Sequence, residues 1–301
     1  MHEVGMHWDD LKTFLAVARA ESLSGAGKRL KVDPATAGRR IARLEEEIGA
    51  ALFAKSPQGY APTEAGQRLQ RHAEMAEQAI LSAEEDIRGQ SGLLSGQIRL
   101  GAPDGVANFL LPQVCSEIVQ QNPDLEVQIV ALPRLFNLTR READLAITVS
   151  PPTAGRLTVQ KVSDYKLHLA ASRDYLRNAP PIETLGDLSG HRIVGYIQDM
   201  IFDKELDYLS ELGVERVSLA SNSAVVQFNW IRQGGGIGVM HDFALASVQG
   251  VRRVLADEIS MTRTFYLVRH ADDTRLERMN RFAEALCDGL RREIARLEAE
   301  T

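Results

Sequence analysis

The segment LSGAGKRLKVDPATAGRRIARLE, residues 23–45, decides how this chain is organised. Asp33 followed by Pro34 is a helix-start signal, because aspartate caps free backbone N–H groups and proline suits the first helical turn. Apolar residues then recur at helical spacing until Gly49, which ends the helix. The predicted apolar face of this helix consists of Ala37, Ile41, Leu44 and Ile48.

The same segment contains GAGK, which raises the alternative of a nucleotide-binding loop. A P-loop needs GxxxxGK followed by Ser or Thr, but Ser22 stands where the first glycine belongs and Arg29 where the hydroxyl belongs. The sequence fits better a short helix that begins near Ser24, which can cap it, and whose glycines permit close packing. With an amphipathic helix over residues 10–20 ahead of it, the segment predicts a helix-turn-helix.

Charge in this segment differs from that of the whole chain. The 301 residues carry a net charge of −6, yet residues 28–43 hold six basic side chains against one acid. Local charge sets the field that a polyanion meets, so this segment predicts nucleic-acid binding. The face that would enter a major groove consists of Pro34, Ala35, Gly38 and Arg39. Arg39 is the side chain among these that can hold guanine through two hydrogen bonds.

Contacts to phosphate position a protein on DNA without reading its sequence. We predict such contacts for Lys28, Arg40, Arg43 and Lys55. Ser24 and Thr36 complete the predicted DNA-binding set.

A wing and a long linker helix are predicted next. Two prolines and two glycines in ALFAKSPQGYAPTEAG, residues 51–66, favour a small hairpin, and Thr63 caps the helix that follows. That helix carries a heptad seam whose alanines permit close helix approach, which predicts a dimerising helix. An intramolecular surface helix is the alternative. The seam consists of Leu69, Ala73, Ala76, Ile80, Ala83 and Ile87.

Beyond a Gly/Ser-rich boundary at residues 89–97, strand and helix patterns alternate. Such alternation predicts parallel or mixed sheets and an α/β fold. Strands are predicted at 98–101, 125–131, 145–148, 166–171, 192–196, 217–220, 236–240 and 265–268, and helices at 108–121, 135–141 and 274–300. The loops GAPDGV and SNSAV lie where ligands bind in open α/β sheets.

Several function classes are disfavoured. We find no signal peptide and no apolar run of ~18 residues, which predicts a cytoplasmic protein without a membrane partner. Catalytic and metal motifs are missing, so we expect no catalytic residue, metal or cofactor. QGGGIGVM fails the spacing of a dinucleotide fingerprint. Cys115 and Cys287 predict two buried thiols, with a redox-sensing pair as the alternative.

Taken together, these segments resemble LysR-type transcriptional regulators. The similarity runs from WDDLKTFLAVARAESLSGAGKRL through VDPATAGRRIARLEEEIGAALF to PTEAG, and it continues in IRLGAP, EADLAI, DLSGHRIVGY and GGGIGVM. The resemblance implies a winged helix-turn-helix over residues 1–63, a dimerising linker helix over 64–92, and a periplasmic-binding-protein-like α/β effector domain over 93–301. Lobe I of that domain would span about 97–163 plus 265–301 and lobe II about 166–263, with two strands crossing between them.

The resemblance also implies partners and a ligand site. These are an imperfect palindrome of double-stranded DNA, a small effector that changes DNA bending, further copies of the chain in a homotetramer, and RNA polymerase as a candidate. The implied effector residues are Ala102, Pro103, Asp104, Gly105, Pro133, Arg134, Thr148, Val149, Asn222 and Ser223. Many members carry a carboxylate-binding hydroxyl at the position of Ala102, which disfavours an organic acid here.

The chain also departs from the family in the predicted base-reading helix. Many members carry polar residues where it has Asp33 and Pro34, and serine where it has Gly38, so DNA shape gains importance. Two rival functions remain open: a solute-binding protein that does not read DNA, and an α/β enzyme fused to a DNA-binding domain.

Overall fold

The computed structural model describes residues 6–56, 59–87, 93–131, 143–153, 155–214 and 216–300. The chain divides into two compact units, Met1–Gly92 and Leu93–Thr301, and each has its own hydrophobic core. No helix within the described ranges combines the length and the apolar character that crossing a bilayer requires.

Three helices build the amino-terminal unit: α1 (Trp8–Ala20), α2 (Leu23–Leu30) and α3 (Pro34–Ile48). The predicted start of α3 is confirmed, because the Asp33 carboxylate accepts the Thr36 backbone N–H at 2.8 Å. Its predicted end is also confirmed, since Gly49 has a φ of +72°. The predicted apolar face is wrong at one position: Ala37, Ile41 and Leu44 are buried, but Ile48 is 37% exposed.

The start of α2 corrects the sequence analysis. Ser22 is the cap, because its hydroxyl accepts the Gly25 N–H at 3.1 Å. Ser24 lies inside the helix and is exposed. The close packing predicted for the glycines is confirmed, since a Cβ on Gly27 would lie 2.7 Å from the Val32 carbonyl oxygen.

The predicted wing is an antiparallel hairpin of β1 (Phe53–Ser56) and β2 (Gly59–Pro62). After it, α4 (Glu64–Ile87) begins where predicted, because the Thr63 hydroxyl accepts the Gly66 N–H at 3.0 Å. The same hydroxyl donates to the Ala51 carbonyl at 2.7 Å, which ties the helix start to the chain before the wing.

A nine-stranded mixed sheet organises the carboxy-terminal unit, which confirms the α/β prediction. Its strands are β3 (Gly96–Ala102), β4 (Leu125–Ala131), β5 (Leu145–Thr148), β6 (Leu157–Ser172), β7 (Ile193–Gly195), β8 (Leu219–Ala220), β9 (Ile237–His241), β10 (Val251–Arg253) and β11 (Met261–His270). The order is β4-β3-β5-β11-β6-β9-β7-β8, and β10 pairs with β6. The helices are α5 (Asp104–Phe109), α6 (Leu111–Gln121), α7 (Arg173–Asn178), α8 (Tyr208–Glu211), α9 (Ala224–Arg232), α10 (Asp242–Leu245) and α11 (Glu277–Ala299).

Two long antiparallel strands connect the halves of this sheet. β6 has 16 residues and pairs with β11 from Leu157 opposite His270 to Leu167 opposite Met261. The register shifts between Phe265 and Tyr266, which is where one half of the sheet meets the other. We name the part that contains β3, β4 and β5 lobe I and the part that contains β7 to β10 lobe II; β6 and β11 run through both.

Two predicted elements of this unit have different bounds in the structure. The helix predicted at 108–121 is split at Leu110 into α5 and α6, and the strand predicted at 166–171 is only the second part of β6. The helix predicted at 135–141 lies outside the described residues.

Gly236 permits close backbone approach at the start of β9. The Arg192 carbonyl occupies the space that a Cβ on Gly236 would need.

Both cysteines are buried and neither forms a disulfide. Burial raises the pKa of the Cys115 and Cys287 thiols to about 11, so both are protonated and unreactive at neutral pH. This agrees with the expectation of two buried thiols. Among the described residues, no group of three or more His, Cys, Asp or Glu side chains is placed to hold a metal ion.

Candidate nucleic-acid interface and ligand cleft

The first turns of α3 present a connected polar edge. The Thr36 hydroxyl donates to the Asp33 carboxylate at 2.6 Å and accepts from Arg39 Nη2, also at 2.6 Å. Hydrogen bonds from the Thr36 hydroxyl and backbone N–H hold the pKa of Asp33 below its usual value. Asp33, Thr36 and Arg39 therefore form a short chain of hydrogen bonds that holds the Arg39 guanidinium beside the start of the helix.

The four predicted base-reading residues lie along this edge. Pro34, Ala35 and Arg39 are exposed, and Gly38 is half-buried. Gly38 offers no side-chain donor, and a Cβ there would make an ordinary van der Waals contact of 3.4 Å with Leu23 Cδ1. Arg39 is consequently the longest hydrogen-bond donor that this set offers to a DNA base.

Two predicted phosphate anchors also connect α3 to α1. Arg43 Nε and Nη2 lie 2.7 and 2.5 Å from the carboxylate oxygens of Asp10, which is completely buried. Arg40 Nη1 donates to the Thr13 hydroxyl at 3.3 Å. A buried carboxylate needs a partner, so Arg43 has a structural role that the charge pattern did not predict. Phosphate contacts by both arginines stay predictions.

The remaining predicted DNA contacts lie outside α3. Lys28 and Ser24 are exposed on α2. Lys55 belongs to β1, but its side chain lies outside the described residues.

The heptad seam of α4 is divided between two environments. Ala73 is 1% exposed and Leu69 packs on the same core as α1 and α3, so this half of the seam is already buried within the unit. Arg19 on α1 and Glu77 on α4 add an ion pair of 2.6 Å. Farther along, Ala76 is half-buried, Ile80 is 37% exposed and Ala83 is exposed. The Ile87 side chain lies outside the described residues.

In the carboxy-terminal unit, a small cavity of about 20 Å³ lies where the lobes meet. Its walls include five predicted effector residues: Pro103, Asp104, Gly105, Val149 and Asn222. Ala102 is fully buried and does not line it, and Thr148 donates to the Ser150 carbonyl at 2.7 Å. Pro133 and Arg134 lie outside the described residues. A space of this size holds about one water molecule, so the lobes are closed on each other.

A carboxylate closes this cleft. Asp104 Oδ2, at the start of α5 in lobe I, accepts from the Ser223 hydroxyl at 2.6 Å and from the Val225 N–H at 3.0 Å. Ser223 caps α9 in lobe II, and its hydroxyl also accepts the Val226 N–H at 3.2 Å. Asp104 thus occupies the amino-terminal end of α9, where free N–H groups and the helix dipole favour an anion.

A second hydrogen bond crosses the cleft beside the first. The Ser150 hydroxyl, just after β5 in lobe I, donates to the carboxylate of Asp203 in lobe II. The two connections lie on different strand-end loops, so they close the lobes from two places.

Sequence reasoning missed several residues that line this cavity. They are Val106, Tyr196, Phe202, Leu206, Ala224, His241 and Phe265. Burial lowers the pKa of His241 to about 4, although the nearby Asp104 charge opposes the shift, so His241 is neutral at pH 7. Tyr196 and His241 stand at or just after the ends of β7 and β9, and the strand-end rule used for residues 102–105 would have found both.

Comparison with known proteins assigns both units. Residues 8–67 match the family described as "Bacterial regulatory helix-turn-helix protein, lysR family", and residues 91–291 match "LysR substrate binding domain". Together these matches span most of the chain.

Named relatives agree with this assignment. The regulator PtxR of Pseudomonas aeruginosa is 23% identical over 246 residues, which cover 80% of this chain and 78% of PtxR. The transcriptional activator TtdR of Escherichia coli K12 is 26% identical over 239 residues, covering 76% and 75%. Among solved structures, CrgA, a LysR-type regulator from Neisseria meningitidis, superposes with a TM-score of 0.56 at 21% identity, covering 94% of this chain and 98% of CrgA.

Proposed function

This chain belongs to the LysR family of DNA-binding transcriptional regulators, and we propose that α3 reads its operator while the cleft between the lobes receives its effector. The proposal places base recognition on Pro34, Ala35, Gly38 and Arg39. Phosphate contacts fall to Lys28, Arg40, Arg43 and Lys55, with Ser24 and Thr36 beside them. The protein would act in the cytoplasm, where its DNA is, and RNA polymerase is a candidate partner.

The observation that carries the DNA-reading proposal is the exposed edge at the start of α3. Arg39 is held there by Thr36, so less side-chain freedom is lost when it binds a base. A guanidinium that makes two hydrogen bonds to guanine discriminates against other bases by about 1–3 kcal/mol. Gly38 and Ala35 add little hydrogen bonding, so the remaining specificity would come from DNA shape.

Assembly into a homotetramer on an imperfect palindrome is part of the proposal. The exposed half of the α4 seam, Ile80 and Ala83, is an apolar surface that a second copy of α4 would cover. Pairing two copies would give the DNA-binding units the two-fold relation that a palindrome requires.

The effector proposal rests on the cleft, and its chemistry follows from Asp104. This carboxylate already holds the Ser223 and Val225 donors, so an effector carboxylate would compete with it for the same groups. Ala102 adds no hydroxyl. We therefore expect a neutral or cationic effector, whose binding opens or rearranges the Asp104 contact.

Fluorescence anisotropy with a duplex from the region upstream of the gene tests DNA reading. Wild-type protein should bind this duplex more tightly than a scrambled one, with affinity falling as salt rises. Arg39→Ala should weaken binding to the upstream duplex by about tenfold or more and reduce the preference over the scrambled duplex. Arg177→Ala, which removes an exposed arginine of α7, is the matched control and should change neither. Retained preference in Arg39→Ala would remove Arg39 from the reading role.

A further inference from the structure

Two cavities of lobe II are far larger than the interlobe cavity. The first, of about 630 Å³ beside α8, is lined mostly by apolar side chains, with Tyr196 among them, and we call it the lobe II cavity. The second, of about 540 Å³, is lined by α7, the end of α9 and β10, and we call it the arginine pocket. Its walls include Arg173, Asp174, Arg177, Arg232, Gly250 and Arg252. Sites for small ligands measure roughly 300–1,000 Å³, so the arginine pocket has room for one.

Positive charge is concentrated in the arginine pocket. Four arginines and one aspartate line it, which gives a net charge of +3 in a chain whose total charge is −6. These arginines come from three separate segments: Arg173 and Arg177 from α7, Arg232 from the last turn of α9, and Arg252 from β10. No short run of basic residues in the sequence accounts for the cluster. The fold brings these charges together around one cavity.

Three of the four arginines have no acidic partner. Arg177 donates to the carboxylate of Asp174, so these two side chains neutralise each other. Arg173, Arg232 and Arg252 are exposed and form no ion pair with any described residue. Like charges around one cavity repel one another, and an anion among them turns that repulsion into attraction. The pocket therefore has the electrostatics of an anion site.

The backbone holds two of these arginines in place at the wall of the pocket. The Arg173 N–H donates to the Gly250 carbonyl at 2.7 Å. Arg252 lies on β10, which pairs with β6 immediately before α7 begins. The Ser172 hydroxyl then caps α7 by accepting the Tyr175 N–H at 3.1 Å. The main chain at Arg173 and Arg252 is thus fixed by hydrogen bonds, while no ion pair ties their side chains.

The lining favours a multivalent anion that carries phosphate. The planar fork of arginine matches the oxygen atoms of phosphate and carboxylate groups. A phosphate ester has close to two negative charges at pH 7 and three acceptor oxygens, so it offsets more of the positive charge than one carboxylate does. Among the described lining residues, Leu176 is the one large apolar side chain, so recognition depends on charge.

We propose that the arginine pocket binds a small phosphate-bearing anion, a phosphate ester or a diphosphate, through Arg173, Arg232 and Arg252. The site is separate from the interlobe cleft and does not depend on the proposed roles of the cleft or of α3. Arg232 ends α9, whose first turn donates the Val225 N–H to Asp104. One helix length, about 13 Å, therefore separates the proposed anion from the contact that closes the cleft.

Isothermal titration calorimetry on the full-length protein, in a buffer free of phosphate and metal ions, tests this site. The probes are pyrophosphate, inorganic phosphate and citrate. Pyrophosphate should bind about tenfold more tightly than phosphate, because it brings more charge and more acceptor oxygens to the arginines. Citrate, which has three carboxylates, should bind less tightly than pyrophosphate. Tighter binding of citrate would overturn the phosphate class, and no binding of any probe would overturn the site.

Single substitutions test the place of binding. Arg232→Gln and Arg252→Gln should each raise the Kd of pyrophosphate by about tenfold, because each removes hydrogen bonds between charged groups. Arg216→Gln is the matched control, since it removes an exposed arginine of lobe II that does not line the pocket, and it should leave the Kd within about twofold. Equal increases in all three variants would show unspecific attraction to positive charge and would overturn the site.

The basic segment around α3 is a competing place for the same probe, so one variant there completes the test. Arg39→Gln should leave the Kd of pyrophosphate within about twofold. If Arg39→Gln abolishes binding while Arg232→Gln and Arg252→Gln keep it, the probe binds at α3 and the proposal is wrong. Thermal melts check that the variants are folded, and either of Arg232→Gln and Arg252→Gln is sufficient for the comparison if the other is not.

Discussion

Removing the Asp104 carboxylate should release the two lobes from each other. In Asp104→Ala, two interlobe hydrogen bonds are lost, from the Ser223 hydroxyl at 2.6 Å and the Val225 N–H at 3.0 Å. A hydrogen bond to a charged group contributes about 1.5–3 kcal/mol, and Asp104 is only half-buried, so we take the low end for each. The closed arrangement should lose about 3 kcal/mol, or about a hundredfold in its population ratio.

Hydrogen exchange at the start of α9 reports this loss, because the Val225 N–H is one of the two donors that lose their acceptor. Its exchange should accelerate by about a hundredfold in Asp104→Ala, while amides in the middle of β6 keep their protection. Asp174→Ala, which removes an exposed carboxylate of α7, is the matched control. If the Val225 amide exchanges within threefold of its wild-type rate in Asp104→Ala, Asp104 does not hold the lobes together.

Three other changes probe separate parts of the molecule. Ile80→Asp should lower the mass of the assembly in light scattering, whereas the neighbouring exposed control Ala79→Asp should not; equal masses would show that the seam is not an interface. His241 has a folded-state pKa of about 4, below its unfolded value of 6.5. Its contribution to the free energy of unfolding should therefore be constant above pH 6.5 and fall by up to about 3 kcal/mol as the pH drops to 4, because the unfolded chain binds the proton first. Denaturant titrations should show a shallower acid loss in His241→Gln, and an unchanged slope would contradict the assignment. Gly236→Ala should lower the free energy of unfolding by about 1–3 kcal/mol in the same assay, because a backbone carbonyl occupies the space that its Cβ needs. Gly190→Ala, with open space around it, should lower it little. Similar losses in the two variants would refute the steric reason.

The helix-turn-helix could be predicted closely because its signals are local. Asp33, Pro34 and Gly49 act on the backbone within one turn, so sequence alone locates both ends of α3. The start of α2 was misplaced by two residues because Ser22 and Ser24 are equally able to cap a helix. Which serine does so depends on where the chain leaves α1, and no local pattern records that.

The sites could be predicted only in part, because their contacts join distant segments. Asp104 and Ser223 were each predicted from strand-end loops, but nothing in the sequence indicates that one holds the other across 119 residues. The pairing of Arg43 with buried Asp10 was missed for the same reason. β6 was recognised only over its buried second half, since its first half is largely exposed and lacks the apolar pattern that predicts a strand.

Tyr196 borders two cavities of the carboxy-terminal unit. It lines both the interlobe cavity and the larger lobe II cavity, and both its burial and the Asp104 charge raise its pKa. A molecule that displaces Tyr196 from the lobe II side would therefore alter the surroundings of the carboxylate that closes the cleft. Linkage makes such coupling reciprocal: whatever opening the lobes does to affinity in the lobe II cavity, a ligand there does equally to the opening. A molecule in either cavity would thus act on lobe closure through the one aromatic ring that both cavities share.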